Sequence, residues 1–210
     1  MALSKRQIFA HRGLWLESGL EKNSMDAFQL AFEEGFGIEV DIRDQLGRIV
    51  ISHDPPTEAP IEFETLVDLA ASFPELPMAI NIKSDGLAEE LETYAIANPH
   101  FYFDMSVPQE REFIKRDLVV ASRISEFESV VRDLQQRLWV DSFMTSWYIE
   151  DYQSLTAISN SSSAVFVSPE LHGRDRFKTW ETLGPLIAET SNLGICTDYP
   201  LEFSERWSAS

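Results

Sequence analysis

Cysteine and basic residues are scarce in this chain of 210 residues. The single cysteine, Cys196, has no partner for an internal disulfide, which is typical of a reducing compartment. Only 17 Lys and Arg residues oppose 35 Asp and Glu residues, so the formal net charge is −18. Because such a surface repels polyanions, we expect neither nucleic acids nor anionic membrane surfaces as partners.

Long apolar stretches are also missing. No segment approaches the roughly 18 consecutive apolar residues of a transmembrane helix, so we expect no stable membrane insertion. The first residues, Met1–Arg6, lack the apolar core of a signal peptide, and we therefore expect a cytoplasmic protein. With 44% hydrophobic and 11% aromatic residues, the chain can form one sizeable core, and we predict a single domain over residues 1–210.

Short apolar segments alternate with amphipathic segments along the chain. The apolar ones predict eight strands: Gln7–Ala10, Gly37–Ile42, Pro77–Ile82, Phe101–Met105, Leu118–Ala121, Leu138–Val140, Ala164–Val167 and Leu193–Thr197. Helices are predicted from Asn23 or Ser24 to Gly35, after Pro108, and over Ile61–Phe73, Gly86–Ala97, Glu126–Gln136, Ile149–Ile158 and Arg176–Glu189. Strands separated by such helices pair in parallel through crossovers. The pattern alone leaves a closed (β/α)₈ barrel and an open doubly wound sheet equally possible.

Two acidic residues alternate with apolar ones in the second predicted strand. Glu39 and Asp41 project to the same side of this strand, with Val40 facing away. An exposed edge strand would also explain this pattern. Acids inside a barrel, however, repel one another unless a cation joins them, and two hard oxygen ligands suit Mg²⁺ or Ca²⁺ better than zinc. We therefore predict that Glu39 and Asp41 bind a divalent metal ion.

Histidines and basic residues follow neighbouring predicted strands. His11 and Arg12 follow the first strand, Lys83 follows the third, and His53 ends a hairpin arm predicted over Arg48–Ser52. A pair of histidines can serve as general acid and general base, and an arginine fork matches two phosphate oxygens. A lysine can neutralise charge in a transition state. Each of these residues could instead be a strand-end side chain without a catalytic role, paired with the backbone or with a surface carboxylate.

Together these segments resemble the glycerophosphodiester phosphodiesterase family. The matching segments, in chain order, are Ala10-His11-Arg12-Gly13, Asn23–Phe28, Glu39-Val40-Asp41, Ser52-His53-Asp54 and Cys196–Pro200. The resemblance covers both ends of the chain and is weak in its middle. It implies a single TIM barrel of the phospholipase-C-like phosphodiesterase type that hydrolyses a phosphodiester with the help of a metal ion, in lipid metabolism. It also implies that His11 and His53 are the acid and base, with Arg12 and Lys83 on the phosphate.

Two positions depart from the family pattern. The family's Pro-Glu-Asn-Thr is Glu21-Lys22-Asn23-Ser24 here, and its Glu-x-Lys, whose glutamate is a third metal ligand, is Asn81-Ile82-Lys83. The amide oxygen of Asn81 can still ligate Mg²⁺ or Ca²⁺, but it adds no charge. We predict Asn81 as the third ligand, with Glu170 as a carboxylate that could complete the shell. The departures also support an alternative, a non-catalytic barrel that binds a phosphodiester or headgroup.

Several other polar or aromatic residues lie near predicted strand ends without belonging to a motif. Candidates for the pocket or the substrate headgroup are Asp104, Trp147, Tyr148, His172 and Arg174. Asp198 is expected to be a structural hydrogen-bond acceptor, and His100 to have no role. The sequence leaves open whether the alcohol is glycerol, a polyol-phosphate unit of a surface polysaccharide or a lysophospholipid. It also leaves open the oligomeric state and whether water or a substrate hydroxyl attacks.

Overall fold

The computed structural model describes residues 3–56, 59–128, 137–151, 155, 158 and 163–207. Its strands, numbered β1 to β10 in chain order, are Ile8–His11, Gly37–Gln45, Arg48–Ile51, Ile61–Glu62, Met78–Ile82, His100–Phe103, Ser122–Ile124, Leu138–Val140, Ala164–Val167 and Leu193–Thr197. Its α-helices, numbered α1 to α7, are Met25–Glu33, Phe63–Ala70, Ala88–Leu91, Val107–Lys115, Trp147–Glu150, Phe177–Glu189 and Pro200–Trp207. Short 3₁₀ turns cover Lys5–Gln7 and Pro169–His172.

The first helix shows how local sequence determines an element. The Ser24 hydroxyl accepts a hydrogen bond from the backbone N–H of Ala27, which caps α1. Phe28 and Phe32 lie one turn apart and are buried on the same face. Gly35, with φ of +85°, then takes the left-handed conformation that commonly ends a helix. The start and end of this helix agree with the sequence prediction.

All ten strands belong to one sheet, so the chain has a mixed α/β fold. Parallel pairing runs from β6 through β5, β2, β1, β10, β9 and β8 to β7, which confirms the predicted crossovers. The hairpin arm β3 pairs antiparallel with β2 and β4. An isolated parallel bridge joins Tyr102 of β6 to Val120, two residues before β7.

Apolar side chains cover both faces of the sheet. Two clusters pack between the sheet and the helices, around Phe28 and Phe63 in one and Tyr148 and Trp180 in the other. A third cluster occupies the opposite face and is formed by Phe9, Ala79, Phe101, Phe103, Ala121, Trp139, Val165, Val167 and Cys196. Cys196 is fully buried there, and burial raises the pKa of its thiol, as expected for a structural cysteine.

Several elements differ from the sequence prediction. The helix predicted over Ile61–Phe73 is shorter because its first two residues pair with β3 as strand β4. The fifth strand lies at Ser122–Ile124 rather than Leu118–Ala121. Only Ala88–Leu91 is helical in the predicted helix Gly86–Ala97, since turn hydrogen bonds to the carbonyls of residues 90 and 91 end it.

Two predicted helices fall largely outside the described residues. Residues 126–128 of the predicted helix Glu126–Gln136 are not helical, and its remainder, 129–136, lies outside them. The helix predicted over Ile149–Ile158 begins earlier, at Trp147, and residues 152–154 and 156–157 also lie outside them.

The final helix, α7, was not predicted. Its first backbone N–H groups, at Leu201 and Glu202, donate to the carboxylate of Glu17. The cap therefore comes from a residue 184 positions away, and a sequence pattern does not reveal it. No helix among the described residues has the length and apolar character needed to cross a membrane.

Candidate active site

A cavity of about 460 Å³ lies where the parallel strands end. In α/β folds, this edge of the sheet is the usual place for an active site. The cavity is lined by six of the seven main site residues predicted from the sequence: His11, Arg12, Glu39, His53, Asn81 and Lys83. Asp41 is completely buried beneath them. The structure therefore brings the candidate histidines, cations and acids together.

Glu39 is only 1% exposed and receives neutral hydrogen-bond donors. Its Oε2 accepts the backbone N–H of Arg12 at 3.2 Å, and its Oε1 accepts the Asn81 side-chain amide at 3.1 Å. Burial, reinforced by the charge of Asp41, raises the pKa of Glu39 to about 7. This carboxyl can therefore change its protonation state near neutral pH.

Asp41 receives cationic partners instead. Its Oδ2 lies 2.8 Å from Arg12 Nε and accepts the Asn23 side-chain amide at 2.9 Å, while its Oδ1 lies 3.4 Å from Lys83 Nζ. Burial opposes ionisation, but the charges of Lys83 and Arg12 outweigh it and hold the pKa of Asp41 below its ordinary value. Asp41 is thus an ionised anchor for two cations.

Asn81 stands beside Asp41 on the neighbouring strand, in direct register across the β2–β5 ladder. Its amide nitrogen is used by Glu39, whereas its Oδ1 is buried without a hydrogen-bond partner among the described residues. Asp41 Oδ1 is also without a hydrogen-bond partner in this part of the chain. Two buried oxygens without such partners, beside a second carboxylate, fit a hard cation such as Mg²⁺ or Ca²⁺ in donor type.

The number of acids in this group is small. Within the described residues, no group of three or more His, Cys, Asp and Glu side chains could hold a metal ion. Here two carboxylates and one amide would have to do so, and two basic side chains already face the acids. The donor set therefore fits a cation, but it supplies less negative charge than a site with three carboxylates would.

His11 is oriented by a residue from the other end of the chain. Its Nδ1 lies 2.7 Å from Asp198 Oδ1, and that oxygen also accepts the Trp15 indole N–H at 3.3 Å. Asp198 favours the tautomer with a proton on Nδ1, which leaves Nε2, 4.0 Å from Glu39 Oε2, to exchange a proton. Asp198 is the structural acceptor that the sequence suggested, and it also positions a candidate catalytic histidine.

His53 lines the same cavity but is more exposed, with 43% of its side chain accessible. Its Nδ1 lies 3.0 Å from the carboxylate of its neighbour Asp54. Arg43 donates to its backbone carbonyl at 3.1 Å and holds the end of the hairpin in place. Lys22, which replaces the carboxylate of the family pattern, also lines the cavity and adds a positive charge.

Three residues at this site have unusual backbone conformations. Arg12, Asn23 and Asp104 all have left-handed backbone conformations, with φ of 58°, 58° and 72°. Such conformations are costly for a residue such as Arg12 and less so for Asn and Asp, and they tend to occur at functional sites. Asp104 joins two cations, since it pairs with Lys83 at 3.3 Å and with Arg123. From the sequence, Asp104 has a suitable location but no motif, and its ion pairs are visible only in the structure.

The remaining candidates have different surroundings. Glu170 is not among the described residues that line the cavity, because its oxygens accept hydrogen bonds from Ser168, Thr197 and the backbone of Asp198. It ties the ends of β9 and β10 together. Other candidates lie in three places: Tyr148 is buried and Trp147 packs in the core, Arg174 binds Ser142, and His172 lines the cavity.

Comparison with solved structures gives matches over nearly the whole chain. A glycerophosphodiester phosphodiesterase from Parabacteroides distasonis matches with a TM-score of 0.68 and 16% identity, covering 96% of each chain. A second such enzyme from that organism matches with a TM-score of 0.63 and 13% identity, covering 97% of this chain and 85% of its own. A protein from Galdieria sulphuraria assigned to the same enzyme type has a TM-score of 0.69 and 17% identity over 99% of both chains.

These identities are low, so the likeness is one of fold. No family model and no curated protein sequence matches this chain. The resemblance inferred from the motifs is therefore confirmed in the three-dimensional arrangement of the chain, which has the fold of glycerophosphodiester phosphodiesterases.

Proposed function

We propose that this protein is a metal-dependent phosphodiesterase that hydrolyses a diester of glycerol or of a related polyol. One observation carries the proposal: two histidines and two basic side chains lie together around a buried pair of acids at a single cavity. These residues are His11, His53, Arg12, Lys83, Glu39 and Asp41. The fold shared with glycerophosphodiester phosphodiesterases supports this assignment.

The proposal includes a closed barrel of eight parallel strands. The parallel ladders connect all eight of these strands in one path from β6 to β7. The two ends of the path approach each other at the bridge between Tyr102 and Val120. Closure at this bridge would bring the carboxyl ends of all eight strands around the same cavity.

The phosphate would be held by local cations. Arg12 is anchored to Asp41 through Nε, so we expect its two terminal nitrogens to bind phosphate oxygens. Lys83 is held between Asp41 and Asp104 and would balance the negative charge that develops on phosphorus-bound oxygens. Because both cations are fixed by buried acids, they require little reorganisation during the reaction.

Glu39, Asp41 and Asn81 would hold the Mg²⁺ or Ca²⁺ ion. When bound, this ion supplies Lewis-acid polarisation of a phosphoryl oxygen. The chain's own part is to present two carboxylates and an amide oxygen on adjacent strands, with Asn23 keeping the Asp41 carboxylate in place. Asn23 thus supports a ligand from outside the coordination shell.

The two histidines would transfer the protons. Asp198 keeps the Nδ1 proton of His11 in place, so Nε2 exchanges the proton with the reacting oxygen. His53 lies at a more exposed part of the cavity, as expected for a group that exchanges protons with solvent between turnovers. One histidine removes a proton from the attacking oxygen, and the other protonates the leaving alcohol.

A panel of diesters tests the proposal. Glycerophosphocholine, glycerophosphoglycerol and bis(4-nitrophenyl) phosphate are incubated with EDTA or with added Mg²⁺ or Ca²⁺. We expect hydrolysis that requires the metal, and a loss of about 10²-fold or more in turnover for His11→Ala and for His53→Ala. His100→Ala is the matched control, because His100 bonds the backbone of Asn98 and does not line the cavity.

Two outcomes would contradict the assignment. Near-normal turnover of either histidine variant would remove that residue from the mechanism. If the wild-type protein binds phosphate esters but hydrolyses no member of the panel, the chain is the non-catalytic binding barrel that the Lys22 and Asn81 departures suggest.

A further inference from the structure

Part of the cavity wall is apolar. Phe103 and Trp139 stack with ring centroids 3.9 Å apart, and Val167 and Leu171 extend this surface. The cavity therefore combines charged groups suited to a phosphate with an apolar surface suited to carbon atoms. Ligand pockets commonly combine an apolar surface with a few polar atoms that fix orientation.

Two polar pairs border this apolar surface, Arg123 with Asp104 and His172 with Asp141. His172, from the turn that follows β9, places its Nε2 2.7 Å from Oδ1 of Asp141, which follows β8. Both residues line the cavity, and the His172 side chain is 24% exposed. This pair lies outside the motifs that indicated the phosphodiesterase function.

Neighbouring residues hold the pair in position. Asp141 Oδ1 also accepts the backbone N–H of Ser142 at 2.8 Å, and Arg174 donates to the Ser142 hydroxyl at 2.8 Å. The Phe143 ring packs against the imidazole with centroids 4.7 Å apart. The orientation of the His172 ring is therefore determined before any ligand binds.

The hydrogen bond to Asp141 uses Nε2 of His172 and leaves Nδ1 of the same ring available for a ligand. Within the part of the chain that the structure describes, no hydrogen bond is present at His172 Nδ1. This nitrogen accepts a hydrogen bond when the ring is neutral and donates one when the ring is charged. A hydroxyl group can match both states because it is donor and acceptor at once.

We propose that His172, positioned by Asp141, binds a hydroxyl group of the alcohol that is esterified to the phosphate. The cavity then selects polyol esters over esters of alcohols that carry no further hydroxyl. The carbons of the polyol pack on Leu171 and Val167 while the phosphate meets Arg12 and Lys83. This inference rests on the proposed function only in requiring that a phosphate ester occupies the cavity.

Discrimination of this kind follows from desolvation. An ester without the hydroxyl would cover His172 Nδ1 with carbon atoms and leave a polar atom unpaired, which is costly in an apolar setting. We expect glycerol 3-phosphate to bind the wild-type protein about tenfold more tightly than n-propyl phosphate. The two compounds have the same number of carbons and the same phosphate, so they differ in the hydroxyl groups alone.

Calorimetric titration of both esters into the wild-type protein and two variants tests the proposal. His172→Gln keeps a polar group near the Nε2 position, next to Asp141, but has carbon at the Nδ1 position, so the preference for glycerol 3-phosphate should disappear. His172→Asn keeps polar atoms at the Nδ1 position and should retain part of the preference. Thermal unfolding of each variant checks that the fold is intact.

The outcomes separate this inference from the proposed function. Equal binding of the two esters by the wild-type protein, binding of neither, or an unchanged preference in His172→Gln would overturn the role of His172. Hydrolysis of bis(4-nitrophenyl) phosphate is measured in parallel. A preserved ester preference without any hydrolysis would contradict the proposed enzyme activity while supporting the hydroxyl contact.

Discussion

Glu39 and Asp41 lie two positions apart on one strand, yet their environments favour different protonation states. Glu39 accepts hydrogen bonds from a backbone N–H and an amide, whereas Asp41 contacts a guanidinium and an ammonium group. Burial is common to both, so the difference comes from their partners. An acid with a raised pKa beside an ionised one is a common feature of active sites.

The raised pKa of Glu39 predicts how stability depends on pH. Its pKa is about 7 in the folded protein against an ordinary value of 4.5, so the folded state binds more protons between these limits. The contribution of Glu39 to stability is therefore full below pH 4.5 and is lost as the pH rises through about 7. We expect the melting temperature in EDTA to fall between pH 5 and 8, and to fall less in Glu39→Gln. Parallel curves for the two proteins would contradict the raised pKa.

Asn81 offers a second test at the level of one residue. Asn81→Glu adds a carboxylate beside Glu39 and Asp41 and should tighten binding of Mg²⁺ or Ca²⁺ by on the order of tenfold. Asn81→Gln is the matched control, because glutamine has the size of glutamate but no charge. Asp41→Asn should weaken binding, since it removes a charged ligand. Calorimetric titration of the metal measures all three variants.

Tighter metal binding by Asn81→Glu need not accelerate hydrolysis, because the added negative charge also repels the phosphate. If Asn81→Glu leaves the affinity unchanged while Asp41→Asn abolishes binding, Asn81 lies outside the coordination shell. The orphaned amide oxygen of Asn81 would then need another explanation, such as a bound water.

The acid cluster could be predicted from sequence spacing, whereas the two aspartate–histidine pairs could not. Alternate residues of a strand share a face, and parallel strands end at one edge, which is why Glu39, Asp41 and Asn81 meet. The pairing of His11 with Asp198 joins residues 187 positions apart, and it exists because β1 lies beside β10. Local patterns carry no information about such partners.

Among the elements, the β2–β3 hairpin matters for the site because it leads directly to His53. The backbone N–H of Ser52 donates to the carbonyl of Asp41 at 3.0 Å, so the hairpin ties the histidine segment to the acid strand. The predicted hairpin arm follows a tight turn at Leu46 and Gly47, which joins β2 to β3. Its conformation, with φ of 52° and 79°, is that of a type I′ turn.

Leu46 is an unfavourable residue for this turn. It is 98% exposed and gains no packing in return for its left-handed backbone. Leu46→Asn produces the favoured Asn-Gly turn and should stabilise the protein by about 1 kcal/mol, which raises the melting temperature by about 2–4 °C. Leu46→Val, with a β-branched side chain, should destabilise it. Scanning calorimetry of the three proteins decides, and a lower melting temperature for Leu46→Asn would contradict the turn assignment.

A helix that was not predicted from the sequence depends on distant residues. The final helix, α7, begins where Glu17 accepts its first N–H groups, and Trp207 near its end packs against Gly184 of α6. A Cβ at position 184 would collide with the Trp207 ring, so the glycine is required for this contact. A glycine normally destabilises a helix interior. Here it is needed because another helix packs against it.

On the scale of the whole molecule, the negative net charge contrasts with the positive side chains at the candidate site. The chain carries a net charge of −18, but Arg12, Lys22, Lys83 and Arg123 all line one cavity. The cavity also contains Asp104, Asp141, Asp198 and Glu39, so its positive and negative groups are balanced locally. An anionic substrate would therefore be repelled at long range and bound at short range.

Ionic strength separates these two effects. Raising the salt concentration from about 10 mM to about 100 mM shortens the screening length from roughly 30 Å to roughly 10 Å. This weakens the repulsion between the chain and an approaching anion, while contacts inside the cavity are screened less. We expect kcat/KM for glycerophosphoglycerol, which is anionic, to rise about twofold to fivefold over this range. Glycerophosphocholine, which is zwitterionic, should change much less and serves as the control. A fall in kcat/KM with added salt, confined to the anionic diester, would show that attraction by the cavity cations dominates even during approach.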